Sequence, residues 1–512
     1  MPELDSIQTI NALVDYIAQT HGSREIFVWR DRETRRSVSY IHFAQETRAL
    51  AAALENIVPP DRNIAILGEN SYQWLLCWFA VICAGRTAVP LDPQLPAAEM
   101  TVLLQKSDAA LLLCSEGFAD YLPEFQHIIC MRDIPALMKP YTSTANWPCE
   151  PKPKTTASIV FTSGTTGQPK GVILSHRNFL SDALSGCRCM DLEHHVMLSV
   201  LPFYHTLSLT PGMLAQLPGG STICICKGIK HLLKDLEVFQ PEYTVVVPLM
   251  AEGMYQRIWE TARKQKKEKL LRFLLSFSDT MLRLGIDLRR QLFKSVLAAF
   301  GGKLEWMLSG GAPISEECVS GFLRFGIEVL PAYGVTECAP GVALNRRGAC
   351  KGQSVGQLLD CNEVKAVDGE LLVRGDNVSD GYYRDEAATS EAFTGGWHKT
   401  GDLGYIDEDG YLYITGRKKN LIILSNGENV SPEYLEQKLL AIPLVQEALV
   451  YELDGEIAAE LFLDEVVPDA ASQLESALLA LNRQLPVYQR ITRTVLRDTE
   501  FPKTTTKKIK RK

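Results

Sequence analysis

Short apolar runs alternate with amphipathic stretches through the middle of this 512-residue chain, and that alternation constrains the fold more than any other feature. The runs lie between about residues 60 and 330 and read NIAILGEN, ALLLCS, VMLSVLPF, STICICKG, YTVVVPLM and LEWMLSGG. Each run has the length of one strand, and the stretches between them can form helices. Such alternation predicts parallel sheets that are covered by helices on both faces.

Two other patterns follow this region. GYIDEDGYLYITG places two β-rich runs around Asp-Glu-Asp-Gly, which predicts a hairpin within a small β-rich unit over about 355–415. After Gly416 the helical and strand patterns return, in a piece long enough to form a small domain of its own. The expected fold class is therefore α/β, with domains at 1–416 and 417–512.

Composition excludes several classes of function. The net charge of -8 argues against a general nucleic-acid partner, because such domains usually carry a basic excess. The first residues, MPELDSIQTIN, are polar and acidic, so we expect no signal peptide. The apolar run from Trp74 to Gly85 is too short for a bilayer span of roughly 20 residues and predicts a buried helix. The thirteen cysteines include no pair of CxxC elements, which favours reduced cysteines in a cytoplasmic protein over zinc ligands.

The stretch FTSGTTGQPKGV, from Phe161 to Val172, is rich in glycine and hydroxyl groups and follows a strand-like run. Glycine lets backbone N–H groups approach an anion, and Lys170 adds a positive charge, so the stretch can bind phosphate. It is not a Walker loop, because the GxxxxGK[ST] spacing is absent. A flexible surface turn has a similar composition, and this stretch alone does not decide between the two.

Four downstream motifs complete a pattern with this loop: LSGGAPIS (308–315), AYGVTE (332–337), WHKTGDLGYIDEDGYLYITGRKKN (397–420) and PKTTTKKIK (502–510). In this order and at these separations they resemble the acyl-adenylate-forming superfamily of acyl-CoA synthetases, peptide adenylation domains and luciferases, from about residue 25 to the end. The resemblance implies a large adenylation domain (1–416) of two α/β lobes and a distorted β-barrel. It also implies a small mobile α+β lid domain (417–512), with the active site between the two.

The implied reaction uses ATP, Mg²⁺ and coenzyme A. A carboxylate attacks the α-phosphorus to give acyl-AMP and pyrophosphate, and a thiol then takes the acyl group, as in an acid–thiol ligase. Glu337 is implied to bind Mg²⁺ with the hydroxyl of Thr162, and Thr336 to meet the α-phosphate. The residues implied to hold the β- and γ-phosphates are Thr162, Ser163, Gly164, Thr165, Thr166, Gly167 and Lys170.

The resemblance also assigns the rest of the nucleotide site. Tyr333 would stack on adenine beside Gly334, and Asp402 would accept both ribose hydroxyls, as a carboxylate can in bidentate fashion. Arg417 would add a second ribose contact. The opposite wall of the adenine site would be formed by Gly311, Ala312 and Pro313, and the acyl pocket would include His205 and Gly310.

The carboxy-terminal motif places the adenylation lysine at Lys508, by register through Ile509. Lys507 stands where the family usually has glycine, so the identity of the catalytic lysine depends on that register. The family's lid domain rotates between the two half-reactions. Lys419 occupies the hinge position, and Gly427 would lie against the pantetheine arm in the thiol tunnel.

The segment from Lys264 to Gly302 resembles a helical insertion of long-chain fatty acyl-CoA synthetases, so a fatty acid is the expected substrate. Its apolar residues at 270, 274, 277, 281, 284, 288, 292 and 296 keep helical spacing. They predict either ordinary helix packing or a basic amphipathic surface for peripheral membrane contact. A separate acyl carrier protein is the alternative acceptor to coenzyme A, and a regulator without activity is a more distant alternative.

Overall fold

Two mostly parallel sheets dominate the described chain, which in this computed structural model comprises residues 4, 6–122, 125–162, 169–424, 428–463, 470–502, 509 and 511. The α-helices are α1 (Ile10–His21), α2 (Tyr40–Ile57), α3 (Tyr72–Cys83), α4 (Ala97–Lys106), α5 (Ile134–Met138), α6 (His176–Met190), α7 (Thr206–Leu209), α8 (Leu232–Phe239), α9 (Pro248–Lys264), α10 (Glu268–Arg283), α11 (Arg289–Leu292), α12 (Lys294–Ala298), α13 (Glu316–Arg324), α14 (Glu386–Ala392), α15 (Pro432–Leu440) and α16 (Ala470–Gln484).

The strands, numbered along the chain, are β1 (Glu25–Asp31), β2 (Thr34–Ser39), β3 (Asn63–Leu67), β4 (Thr87–Leu91), β5 (Ala109–Cys114), β6 (Ile128–Cys130), β7 (Thr156–Thr162), β8 (Lys170–Ser175), β9 (Val196–Ser199), β10 (Thr222–Ile225), β11 (Tyr243–Val246), β12 (Trp306–Ser309), β13 (Glu328–Gly334), β14 (Gly341–Leu344), β15 (Gln357–Leu358), β16 (Asn362–Val367), β17 (Glu370–Gly375), β18 (Phe393–Thr394), β19 (Trp397–Ile406), β20 (Leu412–Arg417), β21 (Ile422–Ile423), β22 (Asn429–Val430), β23 (Val445–Leu453), β24 (Glu456–Leu463) and β25 (Ile491–Arg497).

The two large sheets have different strand orders. One sheet has six strands in the order β6-β5-β3-β4-β7-β8, parallel except for the β7–β8 hairpin. The other has nine strands in the order β15-β14-β13-β12-β11-β9-β10-β1-β2, parallel from β13 to β1 and antiparallel at both ends. The mixed α/β class expected from the sequence is confirmed.

The six apolar runs quoted above form β3, β5, β9, β10, β11 and β12, as predicted. Every residue of β3 and of β11 is buried, because helices cover both faces of a parallel sheet. The apolar run that begins at Trp74 lies in α3, where every residue from Trp74 to Cys83 is buried. Among the described residues, no helix combines the length and the apolar character that a membrane crossing needs.

A smaller antiparallel sheet and a last α+β unit follow. Strands β16 to β20 form a five-stranded antiparallel sheet, and the predicted hairpin pairs β19 with β20. Beyond β20, a separate hydrophobic cluster contains buried residues from Ile422 to Ile491. It packs α15 and α16 against the sheet β23-β24-β25. The boundary between 416 and 417 stays a prediction, and this second cluster agrees with its position.

The insertion from 264 to 302 is helical, and its apolar residues divide between packing and exposure. In α10, Leu271, Leu275 and Ser278 are buried, and Leu274 is partly buried against the core. Leu270 and Phe277 are exposed, and the helix ends before Leu284. Residues 284 to 296 also do not continue one helix, because α10, α11 and α12 are separate.

Candidate active site

The predicted site residues that the structure describes all line one cleft of about 3960 Å³. Strands β9, β11, β12 and β13 are parallel neighbours, so their carboxyl ends lie at the same edge of the nine-stranded sheet. Ligands of open α/β sheets bind at that edge. The described members of the set are Thr162, Lys170, His205, Gly310, Gly311, Ala312, Pro313, Tyr333, Gly334, Thr336, Glu337, Asp402, Arg417 and Lys419.

Part of the predicted set lies outside the described residues. These residues are Ser163, Gly164, Thr165, Thr166 and Gly167 of the phosphate loop, Gly427 of the thiol tunnel and Lys508. Two described residues that follow Lys508 in the chain, Ile509 and Arg511, line the cleft.

The carboxylate of Asp402 is the centre of a hydrogen-bonded trio with Arg417 and Tyr333. Asp402 lies on β19 opposite Arg417 on β20, and its side chain is almost fully buried. The Nε of Arg417 donates to Oδ1 at 2.7 Å, and the hydroxyl of Tyr333 donates to Oδ2 at 2.6 Å. Burial and the Asp402 carboxylate raise the pKa of Tyr333, so its hydroxyl stays a donor. The predicted adenine and ribose residues are therefore connected before any ligand binds.

A second group joins the predicted metal and phosphate residues. Tyr382 donates from its hydroxyl to Oε1 of Glu337 at 2.8 Å, and the ammonium group of Lys170 lies 5.0 Å from the centre of the Tyr382 ring. Across the β7–β8 hairpin, Thr162 pairs with Lys170 and donates to its carbonyl at 3.4 Å. Burial and Glu337 raise the pKa of Tyr382, which keeps its hydroxyl a donor.

Sequence analysis did not single out Tyr382. No signal around Asp380-Gly381-Tyr382 marks it, since its partner Glu337 is far away in the sequence and only the fold brings the two together. Tyr382 holds the side chain of Glu337 in one orientation, and its ring gives Lys170 a cation–π contact. We therefore regard it as a positioning residue for both.

The backbone explains why two of the motif positions are glycine. Gly311 follows β12 with φ of 90°, a conformation that side chains disfavour. At Gly334 a β-carbon would lie 2.2 Å from the carbonyl oxygen of Pro340, so any larger residue would displace that turn. Gly334 is thus required by the fold, independently of any contact with a nucleotide.

The expected acyl side of the cleft includes several apolar side chains. His205 precedes α7, is half-buried, and lies with its ring 4.7 Å from the ring of Tyr204. Beyond it, α9 presents Met250, Tyr255 and Trp259 to the same cleft. An apolar chain can therefore be accommodated beside the predicted nucleotide site.

Sequence analysis also missed a buried carboxyl group in the cleft wall. Asp182 on α6 accepts a hydrogen bond from the backbone N–H of Gly341 at 3.1 Å and a longer one from Asn377 at 3.4 Å. No cation pairs with it among the described residues, and burial raises its pKa to about 7. A helical residue in a sequence gives no sign of such burial.

The raised pKa of Asp182 predicts a pH-dependent stability. The folded protein holds a proton that the unfolded chain releases near pH 4, so this group lowers stability as pH rises from about 4 to 7. Asp182→Asn should remove that decline and raise the free energy of unfolding at pH 8 by up to about 4 kcal/mol. Urea unfolding of both proteins at pH 5 and pH 8 measures it. An equal difference at the two pH values would contradict the assignment.

The fold is one that solved coenzyme A ligases share. The structure superposes on the anthranilate CoA ligase AuaEII in complex with anthranoyl-AMP with a TM-score of 0.82 and 19% identity, over 99% of this chain and 96% of that one. It also superposes on the O-succinylbenzoate coenzyme A synthetase MenE from Bacillus subtilis in complex with ATP and a magnesium ion. There the TM-score is 0.77 and the identity 23%, over 97% of this chain and 98% of that one.

The chain belongs to the AMP-binding enzyme family, whose profile matches residues 14–383. A curated relative is the long-chain-fatty-acid–CoA ligase FadD15 of Mycobacterium bovis, 31% identical over 465 residues that cover 83% of this chain and 75% of that protein. The resemblance stated from the motifs is thereby confirmed. The protein is an enzyme, and the acid–thiol ligase class expected from the sequence is the class of this relative.

Proposed function

We propose that the enzyme converts a fatty acid into an acyl-adenylate with ATP and then transfers the acyl group to the thiol of coenzyme A. The observation that carries this proposal is the convergence, in one cleft, of the Glu337–Lys170 group and the Tyr333–Asp402–Arg417 trio. The structures of AuaEII with anthranoyl-AMP and of MenE with ATP support the proposal, because these proteins bind an adenylate and a nucleotide in the same fold.

In the first half-reaction, a carboxylate oxygen forms a bond to the α-phosphorus and the bond to pyrophosphate breaks. Both reactants are anions, so positive charge must screen their approach and stabilise the departing group. Lys170 would meet the β- and γ-phosphates, and Lys508 and Thr336 the α-phosphate. Tyr333, Asp402 and Arg417 would hold the adenosine and so fix the direction of attack.

Mg²⁺ fits the oxygen donors on the phosphate side of the cleft. Glu337 offers a carboxylate and Thr162 a hydroxyl, the hard ligands that this ion prefers. Within the described ranges no three acidic, histidine or cysteine side chains converge on a metal position, so the phosphates would supply further ligands. When bound, the ion would neutralise charge on the pyrophosphate. Tyr382, by holding Glu337, would set the position of that carboxylate.

A fatty acid is the proposed substrate for two reasons. The relative FadD15 is a long-chain-fatty-acid–CoA ligase, and α9 lines the cleft with apolar side chains. His205 and Gly310 would form the wall nearest the reacting carboxylate. Coenzyme A is the proposed acceptor, and a separate acyl carrier protein is the alternative.

An assay of both half-reactions tests the proposal. The protein is incubated with ATP, Mg²⁺, a series of carboxylic acids of increasing chain length and coenzyme A, and pyrophosphate and acyl-CoA are measured separately. We expect both products, with long-chain acids preferred. Pyrophosphate without thioester would select the carrier-protein alternative. If no acid in the series gave either product, the proposal would be wrong.

Lys419 would be the hinge of the second half-reaction. It lies in the single turn Lys418–Asn420, between the end of β20 and Ile422, where the second hydrophobic cluster begins. The chain thus passes from one packed unit to the next through this turn, and we propose that the lid domain rotates there. Its two neighbours in the turn are held by different units, since Lys418 donates to Glu370 of β17 and Asn420 donates to Glu433 of α15.

A proline at this position should separate the two half-reactions. Lys419→Pro restricts φ, so it should slow thioester formation by about tenfold or more while adenylation stays near normal. Pyrophosphate release and acyl-CoA formation are measured on the same preparation, with Lys419→Ala as the control for loss of the side chain. Equal loss of both steps would count against a rotation at this residue.

A further inference from the structure

The helix α10 carries an exposed apolar stripe. Phe273 and Leu284 are 65% and 67% exposed, and Leu270 and Phe277 are exposed beside them. Positions 270, 273, 277, 281 and 284 follow the three- and four-residue spacing of one helix face, and we call Leu270, Phe273, Phe277, Met281 and Leu284 the apolar stripe. The buried face, with Leu271 and Leu275, lies beside it on the same helix.

Basic residues flank the stripe. Lys264, Lys266, Lys267 and Lys269, the lysine cluster, are all exposed, and none of them makes an ion pair within the described part of the chain. From 264 to 290 there are eight basic and three acidic residues, in a protein whose net charge is -8. The three acids are already paired with arginines: Glu268 with Arg272, Asp279 with Arg324 and Asp287 with Arg289.

Helix stability does not account for the lysine cluster. Lys267 and Lys269 stand at the first turn of α10, where the helix dipole disfavours cations. Four exposed large apolar side chains next to uncompensated cations also exceed what a solvated helix needs.

We propose that the apolar stripe and the lysine cluster dock the enzyme onto an anionic lipid surface. Helices with phenylalanine and leucine on one face and lysine at its edge lie in the plane of such an interface, and each cation near the surface adds attraction to anionic headgroups. A second copy of this chain is a poorer occupant, since in a symmetric contact the surface would face the same excess of basic residues, with its acids already paired. This inference does not depend on the proposed reaction.

The location suits an apolar substrate. α9 lines the cleft with Leu249, Trp259 and Arg263, and its last residue is Lys264 of the lysine cluster. The proposed docking surface therefore begins where the helix that borders the cleft ends.

Vesicle co-sedimentation of the full-length protein tests the proposal. We expect binding to vesicles of mixed phosphatidylcholine and phosphatidylglycerol, and much weaker binding to phosphatidylcholine alone or at high salt. Phe273→Ser/Phe277→Ser should weaken the partition coefficient by about tenfold or more, because the apolar side chains no longer enter the interface. Lys266→Glu/Lys267→Glu/Lys269→Glu should abolish the preference for anionic vesicles.

Two controls keep the test decisive. Leu479→Ser/Val487→Ser removes two equally exposed apolar side chains from the carboxy-terminal unit and should leave partitioning unchanged. Because all substituted side chains are exposed, thermal unfolding of each variant should match that of the parent; if the phenylalanine variant fails to fold, the lysine variant still decides. Equal partitioning of the parent and the stripe variants would overturn the proposal. So would a dimer in sedimentation velocity that Phe273→Ser/Phe277→Ser dissolves without any vesicle binding.

Discussion

Lys508→Ala should slow acyl-adenylate formation by about 10²–10³-fold, the effect of removing one preorganised charge from a transition state. The charge on the α-phosphate grows as the carboxylate attacks, and Lys508 is the proposed cation at that point. Although Lys508 lies outside the described residues, the next residue, Ile509, lines the cleft that contains Thr336 and Asp402. The described residue that follows Lys508 therefore lies in the same cleft as the proposed reaction centre.

Arg511 anchors the end of the chain near that centre. Its guanidinium group pairs with Glu436 of α15 at 2.5 Å and donates to the carbonyl of Val450 on β23 at 3.2 Å. Both contacts belong to the carboxy-terminal unit, so this unit and the segment with Lys508 should move together. Arg511→Ala should lower adenylation less than Lys508→Ala does, since it loosens the segment and leaves the charge in place.

The adjacent Lys507 provides a matched control of equal charge. Pyrophosphate exchange measures adenylation. Thioester formation from supplied acyl-AMP and coenzyme A measures the second step. Lys508→Ala should lose the first activity and keep the second, and Lys507→Ala should keep both. Near-normal adenylation in Lys508→Ala, with Lys507→Ala inactive, would reverse the assignment.

The sequence predicted the strands well, for physical reasons. Strands that are buried on both faces need continuous apolar runs, so β3 and β11 were recognisable. The motif residues are local in sequence, and several lie next to the end of a strand, as Gly311 does after β12 and Glu337 after β13. Once the strand ends share one edge, Tyr333 and Glu337 must face the same cleft as Gly311.

Contacts between distant segments could not be predicted in this way. Tyr382 meets Glu337 only because β8 brings residues 170–175 beside Tyr382, and Asp182 is buried only because β14 packs over α6. The same limit applies to α10. Helical spacing shows that an apolar face exists, but the neighbours α9 and α13 decide which part of it is covered.

Asp402→Ala should lower kcat/KM for ATP by about 10²–10⁴-fold, because two hydrogen bonds from ribose hydroxyls to a carboxylate are worth about 1.5–3 kcal/mol each. In the structure both oxygens of Asp402 already accept hydrogen bonds, from Arg417 and Tyr333. A carboxylate has about four lone-pair sites, so the ribose can bind without displacing either partner. The Tyr333 and Arg417 contacts instead fix the carboxylate in one orientation, which favours bidentate binding.

A cycle that combines this variant with an altered ligand separates ribose contact from general damage to the site. For the parent, 2′,3′-dideoxy-ATP should be a poorer substrate than ATP by a factor similar to that of the mutation, whereas Asp402→Ala should barely distinguish the two nucleotides. Asp407→Asn is the matched control, since Asp407 lies at the turn of the same hairpin and pairs with Lys351. If the losses from the mutation and from the missing hydroxyls simply multiplied, Asp402 would act through Tyr333 and Arg417 and would not bind the ribose.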